Sequence, residues 1–309
     1  MVGIDIGGTN TVFGIVDARG TIIASGAVKT QVYPTVEEYA DEVCKNLLPL
    51  IIANGGVDKI KGIGIGAPNG NYYTGTIEFA PNLPWKGVLP LASMFEERLG
   101  IPTALTNDAN AAAVGEMTYG AARGMKDFIM ITLGTGVGGG VIIDEKIVTG
   151  KHGLGGEIGH IHIRDEETEK CNCGGIGCVE QIGSATGIAR EARRKMAASD
   201  EPSSMRVFGD GITAKDVLDE AKKGDKMALE VVETVGRYLG MALAQLAMTV
   251  DPQMFVIGGG VSKAGQFLID VITKYYNYYT PISENKAVIG LAKLGNDAGI
   301  YGAARLVLG

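Results

Sequence analysis

The sequence predicts an α/β fold of two similar lobes around a cleft, each lobe a mixed sheet covered by helices. Three observations carry this reading. Over the first 119 residues the apolar periodicities run β-β-β-α-β-α-β-α, an order that builds a mixed sheet with helices packed on it. The strand–glycine turn–strand unit that opens the chain then returns at Phe128. Two such hairpins, each opening about half of the chain, read as an internal duplication, although glycine hairpins also arise singly. Finally, 309 residues with 46% hydrophobic and 20% charged side chains are enough for about two domains and too apolar for a disordered chain.

The elements follow in order. Val2–Asp17 reads as strand, Gly7-Gly8-Thr9-Asn10 turn and strand, and Gly20 turns into a third strand over Thr21–Val28. Val36, Tyr39, Val43, Leu47 and Leu50 recur at helical spacing and predict an amphipathic helix over Thr35–Ile52. Ile60–Gly66 is a buried strand, Leu89–Leu99 a helix, Thr103–Thr106 a short strand and Ala109–Tyr119 an alanine-rich helix. Laying Gly8-Thr9 on Gly134-Thr135 aligns the second hairpin, Phe128–Asp144, with the first. Ser184–Ala198 reads as a helix whose Arg190, Arg193, Arg194 and Lys195 form a solvated face, and 199–211 as a polar loop. Helices over Ala214–Lys222 and Lys226–Val250 precede a strand, Met254–Ile257, that ends in Gly258-Gly259-Gly260. A helix from Val261, a strand within Asn285–Ala292 and a small-residue helix, Ala298–Leu308, complete the chain.

Charge and cysteine usage narrow the function classes. A net charge of −7 repels phosphate backbones, which argues against general nucleic-acid binding. The start lacks the basic, apolar and cleavage segments of a signal peptide, and the longest uncharged helical stretch, Tyr238–Val250, is too short to span a bilayer. Three of the four cysteines crowd into Cys171-x-Cys173-x4-Cys178. That crowding suits a metal site in a reducing cytoplasm better than a secreted disulfide framework.

Glycine numbers 47, roughly twice its usual ~7% share, and it clusters behind strands: Gly7-Gly8-Thr9, Gly134-Thr135-Gly136 and Gly258-Gly259-Gly260. Amide groups in such turns can converge on phosphate oxygens. Neither a P-loop string nor a Rossmann glycine turn opening a helix is present. Asp5, just before the first turn, can hold Mg²⁺ through water or bond the turn amides. Asp108 can be the N-cap of the alanine-rich helix, a general base, or both. His160 with Cys171, Cys173 and Cys178 makes a full tetrahedral set for structural zinc, or else three reduced thiols near an unrelated imidazole. Glu157 and Glu180 flank that loop, where they can accept from sugar hydroxyls or simply face solvent. His162 reads as a strand residue, and His152 has no spacing that singles it out.

Taken together, the motifs resemble the ROK group of sugar kinases and sugar-responsive repressors, and within it bacterial glucokinases. The matching strings are Asp5-Ile-Gly-Gly-Thr9, Pro81-Asn82-Leu-Pro-Trp85, Asn107-Asp108-Ala-Asn110, Leu133-Gly-Thr-Gly136, Glu157-Ile-Gly-His160 and Cys171-Asn-Cys-Gly-Gly-Ile-Gly-Cys178-Val-Glu180, in family order over nearly the whole chain. The segment Gly66-Ala-Pro68-Asn69-Gly70 departs from the family's usual Gly-x-Pro-Gly, and no sugar contact is assigned there.

The resemblance implies the duplicated actin/hexokinase-like (ribonuclease H-like) fold. Residues 1–119 would form a small lobe joined by a C-terminal helix at about 296–309, and 120–295 a large lobe carrying the zinc loop. It implies ATP-dependent phosphorylation of a hexose at its 6-hydroxyl, glucose first; mannose, fructose, N-acetylglucosamine and N-acetylmannosamine are the alternatives. Asp108 would be the base, with Asn82, Asn107, Glu157, His160 and Glu180 around the sugar. Asp5, Gly7, Gly8, Thr9, Asn10, Gly134, Thr135, Gly136, Gly258, Gly259 and Gly260 would hold ATP and Mg²⁺. Zinc would sit on His160, Cys171, Cys173 and Cys178. A homodimer or tetramer is a family expectation. A sugar-sensing repressor is the rival from another class; family repressors carry a DNA-binding segment ahead of the phosphate motif, for which the position of Asp5 leaves no room.

Overall fold

The structure is a computed structural model and describes residues 1–151 and 153–308. His152 and Gly309, the last residue of the expected C-terminal helix segment, lie outside the described residues. In chain order the first elements are β1 (Val2–Ile6), β2 (Asn10–Val16), β3 (Ile22–Lys29), α1 (Val36–Ala53), β4 (Ile63–Ala67), β5 (Gly70–Asn71), β6 (Thr76–Glu78), β7 (Val88–Leu89), α2 (Leu91–Leu99), β8 (Thr103–Asn107) and α3 (Asp108–Tyr119). Then come β9 (Phe128–Leu133), β10 (Val137–Ile143), β11 (Lys146–Ile147), α4 (Glu180–Gly183), α5 (Ala185–Ala197), α6 (Ala214–Lys222) and α7 (Lys226–Val250). The last are β12 (Met254–Gly258), α8 (Gln266–Tyr279), β13 (Val288–Leu291) and α9 (Ala298–Arg305).

The main elements form as their patterns require. Thr35 caps α1 by accepting from the Glu38 amide, and Val36, Tyr39, Ala40, Val43, Leu47 and Ile51 bury one stripe of the helix. The small sheet β5-β6-β7 has no counterpart in the sequence reading, because strands of two or three residues carry no periodicity. The segment 199–211, read as a polar loop, contains a 3-10 helix over Ser204–Gly211, with Ser203 capping it through the Met205 amide. The predicted helix from Val261 begins as a single 3-10 turn, and α8 proper starts at Gln266.

Two five-stranded sheets share one spatial order: β3-β2-β1-β4-β8 and β11-β10-β9-β12-β13. In each, a hairpin from sequential strands is extended by two later ones, the arrangement a duplication produces. In the first sheet β1 pairs antiparallel with β2 and parallel with β4, which pairs parallel with β8. In the second, β12 runs parallel to both β9 and β13. The chain divides into two compact units: Met1–Met125 with Gly140–Gly155 and Lys293–Gly309, and Lys126–Gly139 with Gly156–Ala292.

Within the first unit α9 lies directly on β1, β4 and α3. A Cβ on Gly64 of β4 would overlap the Ala303 carbonyl, and one on Gly302 of α9 would overlap the carbonyl of Ala111 in α3. Helix and sheet therefore meet backbone to backbone, and the clashing atoms are rigid. Glu116, fully buried on α3, anchors the approach to α9. Its carboxylate accepts from Lys293 N at 3.0 Å, Leu294 N at 2.8 Å and Ala121 N at 2.6 Å. Gly64→Val or Gly302→Val is expected to cost at least about 3 kcal/mol by overpacking, and the same change at Gly211, where an added Cβ meets open space, far less. Chemical denaturation midpoints of the three variants check this ranking.

Candidate functional site

The first unit gathers its acidic residues where its parallel strands end. Asp5 of β1 pairs in register with Gly66 of β4, and Gly66 with Thr106 of β8, two residues before Asp108. The carboxyl ends of parallel strands are where α/β sheets bind ligands. A Cβ on Gly66 would lie 2.9 Å from the Ala111 Cβ, 3.6 Å from the Asp108 Cα and 3.9 Å from Asp5 Oδ1, so Gly66 borders both acids. Asp5 also packs against Gly299 in the first turn of α9. Burial, and then the neighbouring Asp108 charge, raise the Asp5 pKa to about 7. Burial likewise raises that of Asp108, opposed by the Ala109 amide that its carboxylate accepts from at 2.8 Å.

Asp108 is not the N-cap that the sequence allowed. Asn107 takes that position and accepts from the Ala109 amide at 2.8 Å, which leaves Asp108 as the first helical residue. Asn carries the same capping oxygen as Asp and precedes it, so spacing alone does not choose between them. Asn110, in the same motif, is buried, and its Oδ1 has no hydrogen-bond partner among the described residues.

The first glycine turn is held from behind. Gly7 N donates to Asn10 O at 3.0 Å, Thr30 Oγ1 donates to Gly7 O at 2.8 Å, and Thr30 N donates to Thr9 O at 3.0 Å. Thr30 continues into a buried chain through Thr11 Oγ1 (3.0 Å) to the Tyr39 hydroxyl (2.7 Å). Lys29 Nζ donates to Asn10 Oδ1 at 2.9 Å. Asn82 lies beside the same turn, its carbonyl 3.4 Å from where a Gly8 Cβ would be. Its loop is clamped by Trp85 Nε1 donating to Tyr33 O and Lys86 Nζ donating to Leu83 O. Thr30 was missed because a threonine at a strand end has no signal of its own.

The second unit brings two glycine clusters together. Gly259, at a φ of 83°, packs so closely on Leu133 that a Cβ would meet its carbonyl at 2.5 Å, which sets Gly258-Gly259-Gly260 next to the Gly134 turn. That turn closes through Gly134 N donating to Gly136 O at 2.9 Å. Glu180 lies against it: its Oε2 accepts from Val137 N at 2.9 Å, in space that a Gly136 Cβ would fill.

The ligand atoms of His160, Cys171, Cys173 and Cys178 all lie within 4.8 Å of one another. Cys173 and Cys178 Sγ are 3.7 Å apart, and Cys171 Sγ is 3.8 Å from His160 Nδ1. Metal–sulfur bonds of about 2.3 Å give tetrahedral edges of about 3.8 Å, so the donor set fits a four-coordinate cation. Burial, with Cys173 and Cys171 adding to it, pushes the Cys178 thiol up to about 12; a bound cation would favour the thiolate instead. His160 Nε2 faces the other way, 3.9 Å from Glu157 Oε2. His162 stays out of the cluster as expected, bonding Ile176 O and Asp165 and bridging to Cys178 through the backbone.

The basic residues of α5 are more than the solvated face that the sequence suggested. Arg190 and Arg194 both bind buried Glu167, at 2.9 and 2.8 Å, as well as Glu169. Arg194 hydrogen bonds hold the Glu167 carboxyl down at about 2, even against its burial. These residues rivet the cysteine-bearing loop to the helix. Their acidic partners stand more than 20 residues upstream, beyond the reach of helical spacing.

Comparison with known proteins places this geometry in a family. The ROK family model matches residues 1–309. A glucokinase from Halalkalibacterium halodurans is 40% identical over 99% of this chain and 94% of its own. An N-acetylmannosamine kinase from Escherichia coli is 33% identical over 99% of this chain and 97% of its own. The crystal structure of a ROK family glucokinase from Streptomyces griseus, in complex with glucose and AMPPNP, superposes with a TM-score of 0.80 at 37% identity, covering 99% of this chain and 98% of that one. The fold is the duplicated actin/hexokinase-like α/β fold of these sugar kinases. Over its whole length, the chain belongs to the ROK family.

Proposed function

We propose that this protein is an ATP-dependent hexose kinase that phosphorylates glucose at its 6-hydroxyl. The observation that carries the reading is the pair Asp5 and Asp108, both bordering Gly66 at the strand ends of the first unit. Its family membership and its 40% identity to a glucokinase support the choice of reaction and of sugar.

Asp108 is the general base: it accepts the proton as the 6-oxygen attacks the γ-phosphorus, the new O–P bond forms, and the bond to the β-phosphate oxygen breaks to release ADP. Its raised pKa makes it a better proton acceptor than an exposed aspartate. Asn82, Asn107, Glu157, His160 and Glu180 would orient the sugar. The turns at Gly7, Gly8, Thr9 and Asn10, at Gly134, Thr135 and Gly136, and at Gly258, Gly259 and Gly260 would cradle the phosphates. Asp5 would hold Mg²⁺ through water, and that cation would neutralise phosphate charge.

Zinc would be held by His160, Cys171, Cys173 and Cys178, and its chemistry there would be structural, as a tie for the loop that carries Glu157 and His160. In this reading the first lobe spans 1–119 with the segment from about 296, the second spans 120–295, and the protein works in the cytoplasm as a homo-oligomer.

ADP release coupled to each of glucose, mannose, fructose, N-acetylglucosamine and N-acetylmannosamine tests the reading. Glucose is expected to give the highest kcat/KM; turnover equal to the no-sugar background with every hexose would overturn it. Asp108→Asn is expected to lower kcat by about 10²–10⁴-fold while glucose still binds by calorimetry. In the wild type, the acid limb of the kcat/KM profile lies above the ordinary carboxylate range, because ionised Asp108 is the active form.

Asp5 makes a stability prediction of opposite sign to its functional one. Its folded pKa of about 7 exceeds the ordinary aspartate value of 3.8. From this group alone, stability is fully present below about 3.8 and is lost as pH rises through about 7. Asp5→Asn is therefore expected to stabilise the ligand-free protein by on the order of 1–3 kcal/mol at about pH 8, and by less at about pH 5, while lowering activity. Urea midpoints at the two pH values check this.

A further inference from the structure

The chain leaves the cysteine cluster at Cys178 and reaches the Gly134 turn within eight residues. Glu180, two residues on, accepts from Val137 N at 2.9 Å with one oxygen, and its other oxygen lies 3.8 Å from Cys171 Sγ as acceptor. At the corner between α4 and α5, Ala185 N donates to Gly134 O at 2.8 Å and Thr186 Oγ1 donates to Thr135 O at 2.9 Å. Ser184 caps α5 through the Gly187 amide and touches the Thr186 hydroxyl at 3.0 Å, which fixes the corner.

A trans peptide points its C=O and N–H in opposite directions. With the Gly134 and Thr135 carbonyls drawn onto the corner, the Thr135 and Gly136 amides are turned away from it. The corner thus aims two donors at whatever anion the turn binds.

We propose that the α4–α5 corner couples the metal centre to the nucleotide turn. Cation binding at Cys171 and Cys178 steadies Glu180 and the corner, which in turn presents the Thr135 and Gly136 amides to a nucleotide phosphate. Thr186 is the positioning residue of this linkage. The proposal rests on the reading of the Gly134 turn as a phosphate site. Coupling of this kind is reciprocal: metal tightens nucleotide binding, and nucleotide tightens metal binding by the same factor. The riveting of Glu167 by Arg190 and Arg194 holds the outer loop independently of the metal, so removing the cation leaves a folded protein on which to measure it.

Thr186 is exposed, so Thr186→Val deletes the hydroxyl without touching the core, and Thr186→Ser restores it. Two quantities are measured: the Kd of zinc-loaded protein for MgADP by calorimetry without sugar, and the Kd for zinc by equilibrium competition with a chromophoric chelator, with and without MgADP. Zinc-free wild type, checked for fold by circular dichroism, supplies the third arm. Thr186→Val is expected to bind MgADP about 3- to 10-fold more weakly, the worth of one hydrogen bond, with glucose affinity within twofold of wild type. Zinc-free wild type shows a similar loss. MgADP tightens zinc binding by wild type and Thr186→Ser but not by Thr186→Val. Equal MgADP affinity in all forms, or a zinc affinity indifferent to MgADP in wild type, overturns the coupling and leaves the kinase reading intact. A zinc-loaded wild type that binds no MgADP overturns the phosphate-site reading, and the coupling with it.

Discussion

The helix Ala298–Arg305 is seated on the first sheet with almost no side chain between them. Gly3, Gly64 and Gly115 meet it from β1, β4 and α3, and Gly302 meets α3 from its own side. Close backbone approach of this kind tolerates no added carbon, since the opposing atoms are carbonyls that cannot rotate away. The position of Asp5 follows from it, because Gly299 in the same helix leaves just the room that the carboxylate occupies. Glu116 then fixes the segment leading into the helix through the Lys293 and Leu294 amides. Part of the glycine excess is therefore packing, not phosphate binding.

The acidic pair in the first unit is an electrostatic liability in the ligand-free protein. Two carboxylates share one small, partly buried space, and both are pushed toward the neutral form. Under the proposed function, that penalty is what a magnesium nucleotide would relieve on binding. Buried Glu167 shows the opposite balance: two guanidinium groups and two backbone amides over-satisfy it, and it remains a carboxylate. Similar residue types thus serve opposite ends according to whether their counter-charges are built in or left for a ligand.

Most of the helix and strand order was legible because it depends on local periodicity, as in α1, where one stripe of apolar residues specifies both the helix and its buried face. The donor set of the cysteine loop was legible because three thiols and an imidazole in one short stretch have few other uses. Glycine turns behind strands could be located, but the strands of β5-β6-β7 could not, being too short to repeat. The cap of α3 was misjudged between adjacent Asn107 and Asp108, residues of near-equal capping ability. The basic face of α5 was misjudged because its partners come from a distant loop.

By itself, the sequence determined the family, the duplicated order of elements and the four-residue donor set of the cysteine loop. These are encoded in residue type and short spacing. Only the tertiary structure decided that Asp5 is buried within reach of the Asp108 charge, that Thr30 and Tyr39 back the first glycine turn, and that Glu180 and Thr186 tie the cysteine loop to the second. Each of these depends on how closely separate backbone segments approach, a distance set by packing of the whole unit and written in no local pattern.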